Sequence, residues 1–225
     1  MSIAESLREI QERMRQACLA AGRDPAEVAL VAVSKMHPPA AIDEALRAGQ
    51  LDFGENYVQE VREKVPVLPA AVRWHYIGSL QRNKVKYLAP WVHMIHTVDS
   101  LRLAQEIDHR AAEHGRTIPV LLQVNVAREG VKSGCAPEEA RELAERIARL
   151  AHLELRGLMT MPPFLPAEQV RPFFAGLREL RDRLRVDLGL TLPDLSMGMT
   201  ADFAVAIAEG ATLVRIGTAI FGSRN

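Results

Sequence analysis

Only two of the 225 residues are cysteines, Cys18 and Cys135, and they stand far apart in no metal-ligand spacing. Neither a disulfide framework nor a zinc site is implied, and both thiols read as those of a reducing compartment. Net charge is absent too, with 28 Lys and Arg against 28 Asp and Glu. The electrostatic footprint of a nucleic-acid-binding or anionic-membrane surface is therefore missing. No apolar run approaches the roughly 20 residues that cross a bilayer, and the amino terminus lacks the zones of a secretory signal. A cytoplasmic protein is the expectation. No composition shift, low-complexity tract or long linker marks a boundary, so one domain over 1–225 is expected.

What is present is alternation. Ser2-Ile3-Ala4-Glu5 has the form of a capping box, and Ile3, Leu7, Ile10, Met14, Ala17 and Ala21 follow at spacings of three and four. That predicts an amphipathic helix over about 3–21, packed on the core. Eight β-rich runs come after it: 30–34, 51–53, 74–77, 94–98, 120–124, 153–159, 194–196 and 213–216. Helical patterns separate them at 39–48, 57–65, 83–88, 101–114, 137–150, 169–188 and 200–208. Strict alternation implies parallel pairing through right-handed crossovers, and runs that are apolar on both faces suit buried parallel strands. The pattern predicts an α/β fold, a single (β/α)8 TIM barrel with an extra N-terminal helix, with an open doubly wound sheet as the competing architecture. Pro162-Pro163-Phe164-Leu165-Pro166 reads as a rigid strand-to-helix connection at the barrel top.

Barrels place function at the carboxyl ends of their strands. Lys35 ends the first strand, Asn56 follows the second, Ser196 ends the seventh, and Arg215 and Gly217 end the eighth, so all five are expected at one mouth. Lys35 can act as an amine nucleophile if desolvation or nearby positive charge disfavours its ammonium form. Its plainer reading is a strand-end lysine reaching solvent. The segments 195–200 and 214–218 fall after strands seven and eight, where barrels commonly bind phosphate, and small residues there allow close backbone approach. Alternatively Gly198 and Gly217 are turn glycines. Arg215 shares a face with Leu213 and Gly217 and so points inward, either toward a pyridine nitrogen or into a salt bridge with Glu55 or Asp202. His93 and His96 sit three apart in a strand, on opposite faces, which argues against joint metal ligation; no metal site is expected. Glu129 and Lys132 lie on a polar loop that either meets a ligand or is simply solvated.

Several blocks together resemble a known family. Val33-Ser34-Lys35, Phe53-Gly54-Glu55-Asn56-Tyr57-Val58-Gln59-Glu60, Trp74 through Lys84, Gly157-Leu158-Met159 and Leu195 through Gly222 are similar, in order and spacing, to the pyridoxal phosphate homeostasis protein (YggS-type, proline synthase co-transcribed) family. The resemblance implies a barrel like the amino-terminal domain of fold-type III alanine racemases, with pyridoxal 5'-phosphate held as an aldimine on Lys35. It also implies that Ser196, Gly217 and Thr218 hold the phosphate, that Arg215 faces the pyridine nitrogen and that Asn56 lines the pocket near the ring. The implied role is storage, buffering or delivery of the cofactor, with transient contact to pyridoxal-phosphate-dependent apoenzymes, and a monomer is expected. A racemase or lyase using Lys35 as its single base is the alternative, and a Schiff-base aldolase a more remote one. A two-base racemase needs a second acid–base group across the ring, and Tyr57, Tyr76 and Tyr87 are expected to be poorly placed for it. The chain departs from the family where Met36-His37-Pro38 replaces the usual Thr-Lys-Pro, and where Thr200 replaces a serine.

Overall fold

A computed structural model describes residues 2–128, 130 and 133–222. The first helix, α1 (Ile3–Ala20), starts on the expected capping box: the Ser2 hydroxyl accepts from the Glu5 N–H, and the Glu5 carboxylate accepts from the Ser2 N–H. Strands and helices then alternate: β1 (Ala29–Val33), α2 (Pro39–Arg47), β2 (Asp52–Glu55), α3 (Val58–Lys64), β3 (Arg73–Tyr76), α4 (Val85–Leu88), β4 (Val92–Val98) and α5 (Leu101–Glu113). The second half runs β5 (Ile118–Gln123), α6 (Ala140–Ile147), β6 (Leu153–Met159), α7 (Ala167–Leu188), β7 (Asp194–Ser196), α8 (Phe203–Ala208), β8 (Leu213–Ile216) and α9 (Thr218–Phe221). The eight strands pair in parallel in chain order, and β8 closes onto β1 through Ala29–Leu213 to Ala32–Ile216, which settles the barrel against the open sheet. The proline-rich segment 162–166 does connect β6 to α7.

The main core lies between the strands and the ring of helices, as parallel strands with two covered faces require. Helix α1 buries Leu7, Ile10, Met14 and Cys18 against α8, α9 and α2, so it covers the seam where the barrel closes. Arg23, just beyond it, donates to the carbonyls of Ile207 and Ala211 at the end of α8. A separate small cluster, Val31, Met94, Leu121, Met159 and Leu213, fills the inside of the barrel. The rest of that interior is unusually polar. His96 on β4 hydrogen-bonds to Ser196 on β7, and because those strands are not neighbours the bond crosses the barrel.

Candidate functional site

Lys35 lies in the turn after β1, half-buried, and its backbone is held from below. The Ser34 hydroxyl donates to Glu55 (2.7 Å), while Lys64 Nζ on α3 donates to the Ser34 carbonyl (3.0 Å), Glu55 (2.7 Å) and Glu60 (2.6 Å). Glu60 also accepts from the N–H of Met36 (2.7 Å). Met36 has φ +63°, a left-handed conformation costly for a residue with a Cβ, which these contacts offset. Thus two carboxylates and one ammonium clamp the segment that carries Lys35.

Glu55 is fully buried, its Oε2 has no hydrogen-bond partner, and burial pushes its pKa up to about 7 against the opposing pull of Lys64. In the unfolded chain the same carboxyl ionises near 4.5. The folded state therefore retains its proton over a higher range, and this contribution to stability is full below the unfolded value and lost as pH rises toward 7. Glu55→Gln is expected to flatten this decline, as read from urea unfolding between acidic and neutral pH. A variant with the slope of the wild type would assign the decline to another group.

Four of the six expected site residues meet in one cavity of about 140 Å³: Lys35, Arg215, Gly217 and Thr218, joined by Val33, His37, Met199 and Thr200. It opens between the carboxyl ends of β1 and β8, which are hydrogen-bonded neighbours. His37 stacks on Phe221 of α9 at 5.1 Å and forms part of the wall. On the opposite side the loop after β7 turns tightly, because Asp202 Oδ1 accepts from the Met199 N–H (2.6 Å) and Arg215 N–H donates to the Gly198 carbonyl (3.0 Å). Gly198 has φ +94°, and a Cβ there would sit 2.6 Å from Ala206 Cβ on α8, so only glycine suits the turn.

Arg215 is 4 % exposed and its pKa is lowered to about 10 by burial. The alternative salt bridge is not formed: Glu55 pairs with Lys64, and Asp202 accepts from the Met199 backbone. Instead Nη1 donates to Ser196 Oγ (2.5 Å) and Nη2 to the Thr160 carbonyl (3.0 Å). Ser196 is fully buried and is not among the cavity's lining residues; its hydroxyl is engaged by Arg215 and His96. The hydroxyl that does line the cavity after β7 belongs to Thr200.

Asn56 lines a different cavity, of about 440 Å³, over the ends of β2 and β3, together with Tyr57, Tyr76, Tyr87, Arg62 and Lys84. Its Oδ1 is buried without a partner, an acceptor open to a donor group. The Tyr76 hydroxyl lies 3.0 Å from the Asn56 carbonyl and 3.1 Å from that of Ser79, and burial pushes its pKa up to about 12. It keeps its proton at neutral pH and is no base there. His93 and His96 do face opposite ways, exposed and buried respectively, but His93 joins Asp52 and His75 with one donor atom each within 4.8 Å, a grouping the spacing argument missed. Glu129 and Lys132 lie outside the described residues.

This fold and cavity define a class. A family model for the alanine racemase N-terminal domain matches residues 6–225. The chain is 46% identical over its full length to the pyridoxal phosphate homeostasis protein of Aquifex aeolicus, covering 99% of that protein, and 47% identical to that of Pseudomonas aeruginosa, covering 96% of it. PipY of Synechococcus elongatus, solved with PLP bound, superposes at TM-score 0.86 with 38% identity, over 98% of this chain and 100% of that one. The chain belongs to the pyridoxal phosphate homeostasis protein family.

Proposed function

We propose that the chain binds pyridoxal 5'-phosphate in the cavity between β1 and β8, through an imine to Lys35, and stores, buffers or delivers it. The observation that carries this is the grouping of one amine, one buried guanidinium that forms no ion pair among the described residues, and two glycine–threonine loops around a single cavity. Thr200, Gly217 and Thr218 follow β7 and β8, and the first N–H groups of α9 have no partner within the helix, which suits a phosphate ester. Arg215 suits a pyridine nitrogen that keeps its lone pair, since a guanidinium donates and gives up no proton. Such a ring is a weaker electron sink than a protonated one, which favours holding over turnover. Lys35 would supply the amine for an imine with the cofactor's aldehyde, while Thr200, Gly217 and Thr218 would hold its phosphate and Arg215 its ring.

The protonated Tyr76 leaves a two-base racemisation without its second base from that side. The resemblance to PipY and to relatives named for pyridoxal phosphate homeostasis supports the same reading. Adding the cofactor to purified protein is expected to produce the visible band of an imine, and borohydride followed by peptide mapping to place the adduct on Lys35. A colourless mixture with no adduct would overturn the proposal. Rapid α-proton exchange of amino acids in deuterated water would overturn the carrier half of it.

A further inference from the structure

We infer that Ser196, His96, His75 and Asp52 form a one-way hydrogen-bond relay through the barrel that positions the Arg215 guanidinium. Arg215 Nη1 meets Ser196 Oγ at 2.5 Å, Ser196 Oγ meets His96 Nδ1 at 2.8 Å, His96 Nε2 meets His75 Nδ1 at 2.9 Å, and His75 Nε2 meets Asp52 Oδ1 at 2.8 Å. Every member is buried. The chain begins at the carboxyl ends of the strands, beside the cavity, and finishes at Asp52, the first residue of β2, at the opposite end of the barrel. There the other oxygen of Asp52 accepts from the half-exposed Arg73.

The direction follows from what each end can do. A guanidinium only donates, and an ionised carboxylate only accepts. Burial raises the Asp52 pKa, but hydrogen bonds from His75 and Arg73 outweigh it, and the group stays ionised. His75 Nε2 therefore carries a proton toward Asp52. His96 is fully buried, and burial holds its pKa well below the usual imidazole value, so it is neutral. With His96 neutral, one arrangement uses each donor and acceptor once: Arg215 to Ser196, Ser196 to His96, His96 to His75, His75 to Asp52. A cationic His75 would reverse the middle links, leaving Ser196 to accept twice with its own buried proton unpaired, a cost of about 1–3 kcal/mol before counting the buried charge.

Asp202 attracts the desolvated Arg215 guanidinium without forming an ion pair with it, so its hydrogen bonds go to Ser196 and the Thr160 carbonyl. Through Ser196 the guanidinium is joined to Asp52 by groups that polarise in one sense. Nη1 and Nη2 are thereby fixed on Ser196 and the Thr160 carbonyl, which decides how the guanidinium meets the cavity. His96, His75 and Asp52 act as positioning residues. The step from relay to ligand rests on the reading that Arg215 faces the cofactor; the relay itself does not.

Nitrogen-15 NMR of the histidine-labelled chain without added cofactor tests the relay alone. Both His75 and His96 are expected as neutral Nε2–H tautomers, and an Nδ1–H tautomer or an imidazolium at either position near neutral pH would overturn it. The positioning role is tested with two pairs of variants. Glutamine can accept from Ser196 and donate to His75, whereas leucine can do neither, so His96→Leu is expected to weaken cofactor binding about tenfold and shift the bound absorbance, with His96→Gln close to wild type. Asp52→Asn is expected to behave like His96→Leu, while Arg73→Gln, which removes only the outer partner, leaves the spectrum unchanged. Wild-type affinity and spectrum in both His96→Leu and Asp52→Asn would sink the positioning role. A wild-type chain that takes up no cofactor would instead sink the proposed function, leaving the NMR result to decide the relay.

Discussion

Lys35→Ala is expected to lose the visible band of the bound cofactor completely and to incorporate none on borohydride reduction. The loss is total because the substitution removes the one nitrogen that forms the bond. The fold is expected to survive. The turn is held by the Ser34 hydroxyl and carbonyl and by the Met36 N–H, each bonded to Glu55, Lys64 or Glu60, and the change touches none of those contacts. Stability within about 0.5 kcal/mol of wild type is therefore expected from thermal melts. Pyridoxamine 5'-phosphate, which has no aldehyde, gives the complementary reading: it is expected to bind variant and wild type alike, through Thr200, Gly217, Thr218 and Arg215. A variant that still yields a reduced adduct would move the bond to another lysine. Equal loss of pyridoxamine phosphate binding would mean that Lys35 shapes the cavity rather than supplying its bond.

Much of this was legible in the chain. The eight strand runs, including the short ones at Asp52–Glu55 and Asp194–Ser196, fall where β-rich stretches alternate with helical periods, because each strand of a parallel barrel is buried on both faces and each helix on one. Boundaries shifted where side chains intervene. Helix α8 begins at Phe203 and not at Thr200, since Asp202 accepts from the Met199 N–H and bends the residues before it into a turn. Helix α6 is shorter than its pattern, spanning Ala140–Ile147.

The site was legible to the extent that it depends on strand ends. Lys35, Arg215, Gly217 and Thr218 meet because β1 and β8 are neighbours in a closed barrel. What escaped depends on which side chains meet across the interior. His96 looked like an ordinary strand histidine, and no local spacing connects it to Ser196, a hundred positions away and on a non-adjacent strand. Glu55 was offered to Arg215 and pairs with Lys64, because it lies where α3 packs on β2. The available signal was the inward face itself: His75, His96, Ser196 and Arg215 interrupt strands that are otherwise apolar, and buried polar groups need partners.

Gly78→Ala carries a large expected cost to the fold. A Cβ at Gly78 would lie 2.1 Å from the Asn56 carbonyl oxygen and 2.7 Å from its Cα, contacts with backbone that no rotamer change relieves. The same Asn56 carbonyl accepts from the Tyr76 hydroxyl, and the Gly78 carbonyl accepts from Thr97 Oγ1 (2.7 Å), so the loops after β2 and β3 are fixed from both sides. Forcing them apart is expected to cost about 3 kcal/mol, the upper range of overpacking, and to lower the melting temperature by about 6–12 °C for a chain of this size. Asn56 lines a different cavity from Lys35, so cofactor affinity is expected to stay near wild type at temperatures where the variant is folded. Gly176→Ala supplies the internal comparison. In the middle of α7 a Cβ would meet only Val126 Cγ1 at 3.4 Å, an ordinary contact, and alanine favours helix by about 0.5–1 kcal/mol. The same methyl group is thus expected to stabilise one site and destabilise the other. If Gly78→Ala melts with the wild type, the loops after β2 and β3 are not in the close contact that places Asn56 beside its cavity.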